Sequence, residues 1–344
     1  MIDYKLLEKL CTAAGISGDE GEVRDIILEE IKDLADDIKV DNCGNIIAFK
    51  KGKTRPEKKL MLSAHMDEVG FIVTDILSNG DLKFACVGGI NDSAVFAKQV
   101  FVGKNKLPGV VCCKPVHVLK ADEKGKNPSP ENLTIDIGAS TKEEAMKYVR
   151  YGDSIVFDSI YENRDGRIIS KAIDDRFGCL VLIELMRSEP VYDMTFVFCV
   201  QEEVGLRGSA AAAYTVAPDS AIVIEATTAA DVPGNENEKK VCCVGKGAVV
   251  SFMDRATIYD KGYYELAMKT ADENNIPAQT KTMIAGGNDA GAIHKSRGGV
   301  RTIAVSVPCR YLHANASLIS TDDAQAVYDL VKILAERICS DTTC

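Results

Sequence analysis

Lys59-Leu60-Met61-Leu62-Ser63-Ala64-His65-Met66-Asp67 is the stretch on which the reading of the fold turns. Residues 60–64 form a short apolar run of strand length, and it leads without a turn into an imidazole and a carboxylate. An uninterrupted apolar strand is the habit of a parallel sheet buried on both faces. The pattern recurs downstream. Residues 196–200 lead to Gln201-Glu202-Glu203, 221–224 lead to Glu225, and 301–307 lead, a few residues on, to Arg310-Tyr311-Leu312-His313. The pair Asp174-Asp175 opens the helix that follows Lys171-Ala172-Ile173. Helices expected over 176–186, 209–214, 263–274 and 322–338 alternate with these strands. The alternation predicts an α/β fold, a mostly parallel sheet covered by helices on both faces. Such a sheet gathers its strand ends on one rim, where sites form.

The flanking segments read differently. Val23, Ile26, Ile27, Ile31 and Leu34 recur at three- and four-residue steps, which predicts a helix over 22–34, the second of two at the N-terminus. The turn Asp41-Asn42-Cys43-Gly44-Asn45 joins two short strands, the second at 46–49. From about Val69 to Tyr161 the texture changes. Short β-type runs at 71–74, 100–102, 109–111 and 154–157 are broken by Gly, Pro and Asn, helical periodicity is confined to 141–148, and 120–132 reads as an exposed loop. This predicts a β-rich domain at 69–163 inserted into an α/β domain formed by 1–68 and 164–344.

Composition removes several classes of function. The formal charge is −10 and no basic stripe interrupts the mixed acids and bases, so no nucleic-acid partner is expected. No run approaches the roughly 18 apolar residues of a membrane span, and the opening MIDYKLLEKL is charged, so a cytoplasmic protein off the membrane is expected. The twelve cysteines include no CxxC pair, and the adjacent pairs Cys112/Cys113 and Cys242/Cys243 fit a reducing compartment better than a disulfide framework.

The acids and histidines carry the chemistry. Imidazole and carboxylate together suit zinc, cobalt or manganese, and one carboxylate can bridge two ions. Two ions about 3.5–4 Å apart can hold a hydroxide and polarise a carbonyl. A neighbouring carboxylate then moves the proton to the leaving amine. Glu202 and Glu203 point to opposite sides of an extended backbone, which divides them into one ligand and one base. Other residues have plainer readings. Asp175 fits a helix cap, while His117, in Pro115-Val116-His117-Val118, and His294, on an expected helix at 290–295, read as structural. Gly286-Gly287-Asn288-Asp289 lacks phosphate-loop spacing and reads as a close backbone approach to substrate, with Asp289 placed to orient an amine or a ligand.

Five stretches, in order, closely resemble the M42 glutamyl-aminopeptidase or TET-like family of metallo-aminopeptidases, within the di-zinc peptidase fold. They are Ser63-Ala64-His65-Met66-Asp67-Glu68-Val69-Gly70, Lys171-Ala172-Ile173-Asp174-Asp175-Arg176-Phe177-Gly178, Gln201-Glu202-Glu203-Val204-Gly205-Leu206-Arg207-Gly208, Gly286-Gly287-Asn288-Asp289-Ala290-Gly291-Ala292 and Val307-Pro308-Cys309-Arg310-Tyr311-Leu312-His313. The resemblance implies release of N-terminal amino acids from peptides by two divalent ions per subunit. It makes His65 and Glu225 ligands of the first ion, Asp174 the bridge, Glu203 and His313 ligands of the second, Glu202 the general base, and Asp67 the group behind His65 that orients its ring. It also implies that the insert dimerises, that residues of a neighbouring insert can approach the site, and that dimers build a homo-oligomeric tetrahedral dodecamer enclosing the sites. Many family members carry Asp where Glu225 stands, and Glu there accompanies carboxypeptidase or deacylase activity in related peptidases, so that alternative stays open. Some members bear the label endoglucanase. A glycosidase needs two carboxyls about 5–10 Å apart across a sugar, usually in an aromatic-lined cleft, and a chain with no Trp and 6 % aromatic residues is poorly equipped for one.

Overall fold

The apolar run at the centre of the sequence reading is a strand, Leu60–His65, with every residue buried. In the computed structural model, which describes residues 2–113, 117, 129–236 and 239–340, it lies inside an eight-stranded sheet. From edge to edge the strands are Asp37–Val40, Ile46–Lys50, Met194–Cys199, Leu60–His65, Ser220–Thr228, Arg301–Cys309, Ala248–Val250 and Ala278–Thr280. The middle four are mutually parallel, with Cys199 beside His65 and Glu225 beside Ser306. On either side of them the pairing turns antiparallel, to Ile46–Lys50 and to Ala248–Val250, so the sheet is mixed, with a parallel centre.

One edge is antiparallel because the chain returns on itself through a tight turn. The Asp41 carboxylate accepts from the backbone N–H groups of Cys43, Gly44 and Asn45, and Gly44 takes the positive φ the turn requires. Successive strand residues face opposite sides of a sheet, and Ser220–Thr228 is buried along all but its last residue, so both faces are covered. Helices Ile173–Arg187 and Thr321–Ser340 pack on the central strands, as do Arg207–Val216 and Ala290–Ile293, which also touch each other. In Thr321–Ser340 the buried Ala324, Val327, Leu330, Val331, Leu334 and Ile338 form one apolar stripe at three- and four-residue steps.

A second core lies between residues 70 and 157. Strands Gly70–Ile76, Leu82–Val87, Thr134–Asp136, Leu107–Cys112, Gln99–Val102 and Ser154–Phe157 close into a barrel in that spatial order. Phe71 stands at its centre, edge-on to Phe84 at 5.0 Å and Phe157 at 5.1 Å between ring centroids. A small sheet of Glu162–Arg164, Arg167–Ser170 and Ser317–Ser320 ties the chain leaving the barrel to the segment after the last central strand.

Several expectations shift in detail. The helix expected over 22–34 is Gly21–Ile31, and the periodicity at 141–148 yields one turn, Lys142–Ala145. Of the expected loop at 120–132, residues 120–128 lie outside the described residues, and Pro130–Asn132 is a short 3-10 turn. His117 is exposed. His294 donates from Nδ1 to the Ala290 carbonyl at 2.7 Å, a contact within its own turn.

Candidate metal centre and active site

The site residues come from the parallel centre and from the segments that adjoin it. His65 ends its strand, and Glu202 and Glu203 follow Met194–Cys199. His313 lies beyond Arg301–Cys309, and Asp174 heads helix Ile173–Arg187. Glu225 departs from expectation, because its strand continues to Thr228 and leaves it inside the strand. The helix proper begins late. Asp174 (φ −80°, ψ 108°) and Asp175 (φ −121°, ψ 44°) are not helical, and the peptide bond joining them is cis. Asp175 then caps the helix, its carboxylate accepting from the Gly178 N–H at 2.9 Å and from the His65 N–H at 3.3 Å. A Cβ on Gly178 would collide with that carboxylate, which explains the glycine.

The side chains converge on a cavity of about 420 Å³ lined by His65, Asp174, Glu202, Glu203, Glu225 and His313. His65 Nδ1 is 3.1 Å from the Asp67 carbonyl, to which it donates, so the lone pair of Nε2 faces Asp174 Oδ1 at 3.2 Å and Glu225 Oε1 at 3.3 Å. His313 Nδ1 likewise donates to the Gly89 carbonyl at 2.7 Å, and its Nε2 faces Glu203 Oε1 at 3.3 Å and Asp174 Oδ2 at 3.5 Å. The two oxygens of Asp174 thus belong to two triads, His65–Asp174–Glu225 and Asp174–Glu203–His313. His65, Glu202 and Glu203 form a third grouping, but Glu202 Oε2 is 4.0 Å from a ring nitrogen already committed to nearer oxygens.

Lone pairs aimed at carboxylate oxygens repel unless a proton or a cation lies between them. Without a cation, protons take that place. Burial pushes Glu225 up to about 8 and Glu203 up to about 7, with the negative charge of Asp174 adding to each. Burial would lower His313, but Asp174 and Glu203 hold it at about 9. Burial would raise Asp174, yet its bonds to His313 and His65 hold it well below the usual carboxylate range. Glu225 Oε1 is buried with no hydrogen-bond partner. The donor set is imidazole nitrogen and carboxylate oxygen, and it fits two divalent cations sharing Asp174.

Asp67 has a broader reach than its place in the sequence suggests. Fully buried, it accepts the Glu202 N–H on Oδ1 at 3.0 Å, and the Glu203 N–H at 3.1 Å and the Ser17 hydroxyl at 2.6 Å on Oδ2. Its Oδ1 is 3.5 Å from His65 Nδ1, farther than its own carbonyl. Burial alone would raise its pKa, but His65 brings it below the ordinary value. At the Gly-rich stretch the cavity wall is Gly286, Gly287 and Asn288, while Asp289 lies 1 % exposed and burial pushes it up to about 6. Sequence reasoning missed Gly89, Ser17 and Lys281. The pair Gly88-Gly89 was the available signal for the first, since a Cβ at Gly88 would stand 2.7 Å from Val69 and 3.3 Å from Glu203. Beneath Asp174, Glu68 holds Lys171 at 2.7 Å and Arg176 at 3.1 Å in a buried ion cluster.

The fold is α/β with a parallel centre to its sheet, and it carries two imidazole–carboxylate triads that could each hold a metal ion; the comparisons place the chain more closely. The M42 glutamyl aminopeptidase family matches residues 44–330, and the chain belongs to that family of peptide hydrolases. It is 32 % identical to the lysyl aminopeptidase of Pyrococcus furiosus over 98 % of each chain. The TET aminopeptidase of a marine-sediment Thaumarchaeota archaeon superimposes with a TM-score of 0.93 at 36 % identity, covering 97 % of this chain and 96 % of that one. A Thermotoga maritima protein described as an endoglucanase superimposes with a TM-score of 0.81 at 38 % identity, covering 97 % of both. Other solved relatives are described as a dodecamer and as a tetrahedron or large octahedral shell.

Proposed function

We propose that the chain removes N-terminal amino acids from peptides with two divalent ions per subunit, and that Glu202 is the general base. The observation that carries this is Asp174, whose two oxygens face two different histidines while Glu202 lies beside both triads at the cavity wall. His65, Asp174 and Glu225 would hold one ion, and Asp174, Glu203 and His313 the other. Zinc, cobalt or manganese would supply the usual chemistry of such a pair, a water of lowered pKa and a polarised scissile carbonyl. Glu202 takes the proton from the attacking water and delivers it to the leaving amine. In the metal-free protein burial, with the charges of Glu225, Asp289 and Glu203, raises its pKa well above the ordinary value. Asp67 fixes the backbone from which Glu202 and Glu203 both project.

One methylene keeps a second reading alive. Glu225 stands where Asp is commoner in the family, and a deacylase or carboxypeptidase on the same scaffold would cut N-blocked peptides or acyl-amino acids. The endoglucanase reading has less support, because Asp174, Glu203 and Glu225 are committed to histidines, which leaves Glu202 without a free carboxylate partner across the cavity. We further propose that the barrel region, 69–163, dimerises subunits whose catalytic domain is 1–68 and 164–344. Exposed Met146, Tyr148, Tyr151 and Ile160 support that interface, and the assemblies of solved relatives support a dodecamer. A cytoplasmic site of action agrees with the cysteines, which are free among the described residues. Among the described residues no helix is long and apolar enough to cross a membrane.

The test is a panel of unblocked and N-acetylated peptides, cleaved before chelation, after it, and with metal restored. Cleavage of unblocked peptides alone, lost and recovered with metal, supports the proposal, and cleavage of the blocked ones favours the deacylase. Glu202→Gln should keep its metal while turnover falls by at least about 10². Loss of metal from that variant would mean that base and ligand are misassigned.

A further inference from the structure

A second cavity, of about 530 Å³, opens at the other end of the central strands. Leu60 stands in its wall, and the strand that starts there ends at His65. About 17 Å of extended chain therefore separates this cavity from the metal centre. Its floor is one face of the sheet edge. Phe49 lies between Asp37 and Thr195 of the neighbouring strands, and Ile47 lies opposite Lys39. Residues two apart along a strand face the same way, so these side chains share one face. Helix Arg207–Val216 packs on Met194–Cys199 and ends at the cavity with Thr215 and Val216. Beyond that end Ile47 and Phe49 are left half-buried.

The walls are basic. Lys39, Lys51, Arg55 and Lys59 line the cavity, and among the described residues none of their side chains has an ion-pair or hydrogen-bond partner. Acids are plentiful in a chain of net charge −10, but those nearby serve the backbone instead. Asp36 accepts the Lys51 N–H at 2.7 Å, Asp193 the Gly52 N–H at 2.9 Å and Asp219 the Lys59 N–H at 2.8 Å. Between them the Thr54 N–H donates to the Val191 carbonyl at 2.9 Å, and the Thr54 carbonyl accepts from the Asp193 N–H at 3.1 Å. A Cβ on Gly52 would strike the Tyr192 backbone. The loop 51–59 is thus pinned at both ends and holds three cations around one cavity. Single exposed lysines are ordinary, whereas four bases around an apolar floor concentrate a positive potential that a bound anion relieves. We infer that this cavity is a second binding site, for a phosphorylated small molecule bearing a planar ring, the chemistry of a nucleoside diphosphate. The ring rests on Phe49 and Ile47, and the phosphates meet the lysines and Arg55. Asp37, a lining carboxylate with no partner among the described residues, offers an acceptor to the sugar hydroxyls. The volume falls within the roughly 300–1,000 Å³ of small-molecule sites. Nothing in this assignment depends on the peptidase reading.

The experiment titrates metal-loaded protein with ADP, adenosine, pyrophosphate and an N-acetylated hexaglutamate peptide in a calorimeter. It uses wild type, the double variant Lys51→Ala/Arg55→Ala, and Phe49→Leu. The double variant keeps the backbone N–H groups that pin the loop, and an unchanged melting temperature confirms its fold. ADP should bind wild type one to one, more tightly than either pyrophosphate or adenosine. The double variant should weaken ADP by about 10-fold, the size of one hydrogen bond to a charged group. Phe49→Leu should weaken ADP by about 5-fold, a stacking contact, and leave pyrophosphate unchanged. An ADP affinity that the double variant does not move would place the phosphates on the catalytic metals and overturn the inference. Pyrophosphate as tight as ADP would remove the ring from the assignment, and the peptide as tight as ADP would make this face a docking surface for acidic protein. Either of those results, or no ADP binding at millimolar concentration, overturns it as well.

Discussion

Replacing Asp67 by asparagine changes one atom in a carboxylate that makes three strong bonds. Oδ1 takes the Glu202 N–H at 3.0 Å, and Oδ2 takes the Glu203 N–H at 3.1 Å together with the Ser17 hydroxyl at 2.6 Å. An asparagine amide offers one acceptor oxygen. If it takes the Oδ2 place, its NH₂ group points at the Glu202 N–H, donor against donor. If it flips, the conflict moves to Glu203, and only the serine can rotate to accommodate it. Either way one bond to a charged acceptor is lost, about 1.5–3 kcal/mol, and one buried N–H is orphaned, about 1–3 kcal/mol. The sum is about 2.5–6 kcal/mol. At about 2 cal/mol/K per residue, a chain of 344 residues loses about 1.4 °C per kcal/mol, so the melting temperature should drop by about 3–8 °C. Because the disturbed backbone carries both glutamates, kcat/KM should fall about 10- to 100-fold, as for other groups that hold a ligand from behind. Scanning calorimetry and a metal titration on the same preparations measure both effects. Ser17→Ala is the control, since it leaves both backbone bonds in place and should cost about 1 kcal/mol. An Asp67→Asn protein that melts with wild type and binds metal as tightly would refute the positioning role.

Two further outcomes follow from the same geometry. Glu225→Asp withdraws Oε1 from its place 3.3 Å from His65 Nε2, and it should weaken one metal equivalent by about 10-fold while the other is little changed. A two-site titration reads the split, and equal loss at both sites would break the assignment of Glu225 to the His65 triad. In the chelated protein, Glu203 at about 7 and Glu225 at about 8 hold protons that the unfolded chain releases from about pH 4.5 upward, so their contribution to stability falls as the pH rises to about 8. His313, which burial would lower but Asp174 and Glu203 raise to about 9, adds stability that is full below about pH 6.5 and lost by about 9, in the same direction. The melting temperature of chelated protein should therefore decline from pH 5 to 9 and recover on adding metal, and a flat profile would contradict the protonated cluster.

What the sequence disclosed and what it hid have physical reasons. The central strands announce themselves because burial on both faces demands continuous apolar residues, and the acids after them stand out against that background. Strands such as Thr134–Asp136 and Ala278–Thr280 are three residues long and half-polar, too short for any period to register. The broad grip of Asp67 depends on N–H groups 135 and 136 residues away, a relation no local spacing carries. Lys281, a buried residue of the catalytic cavity wall, hid for another reason. In Gln279-Thr280-Lys281-Thr282 it looks like a solvated loop residue, and only closure of the edge strands around it takes it out of water.

The hydrogen bond from His313 to the Gly89 carbonyl joins positions 224 residues apart. Gly89 follows a barrel strand, Leu82–Val87, while His313 follows a strand of the central sheet. The barrel therefore owns the acceptor that sets the tautomer and tilt of a ring in the catalytic cavity. If the barrel dimerises as proposed, a neighbouring subunit that bears on it would have a lever on that imidazole without touching any residue that meets the substrate.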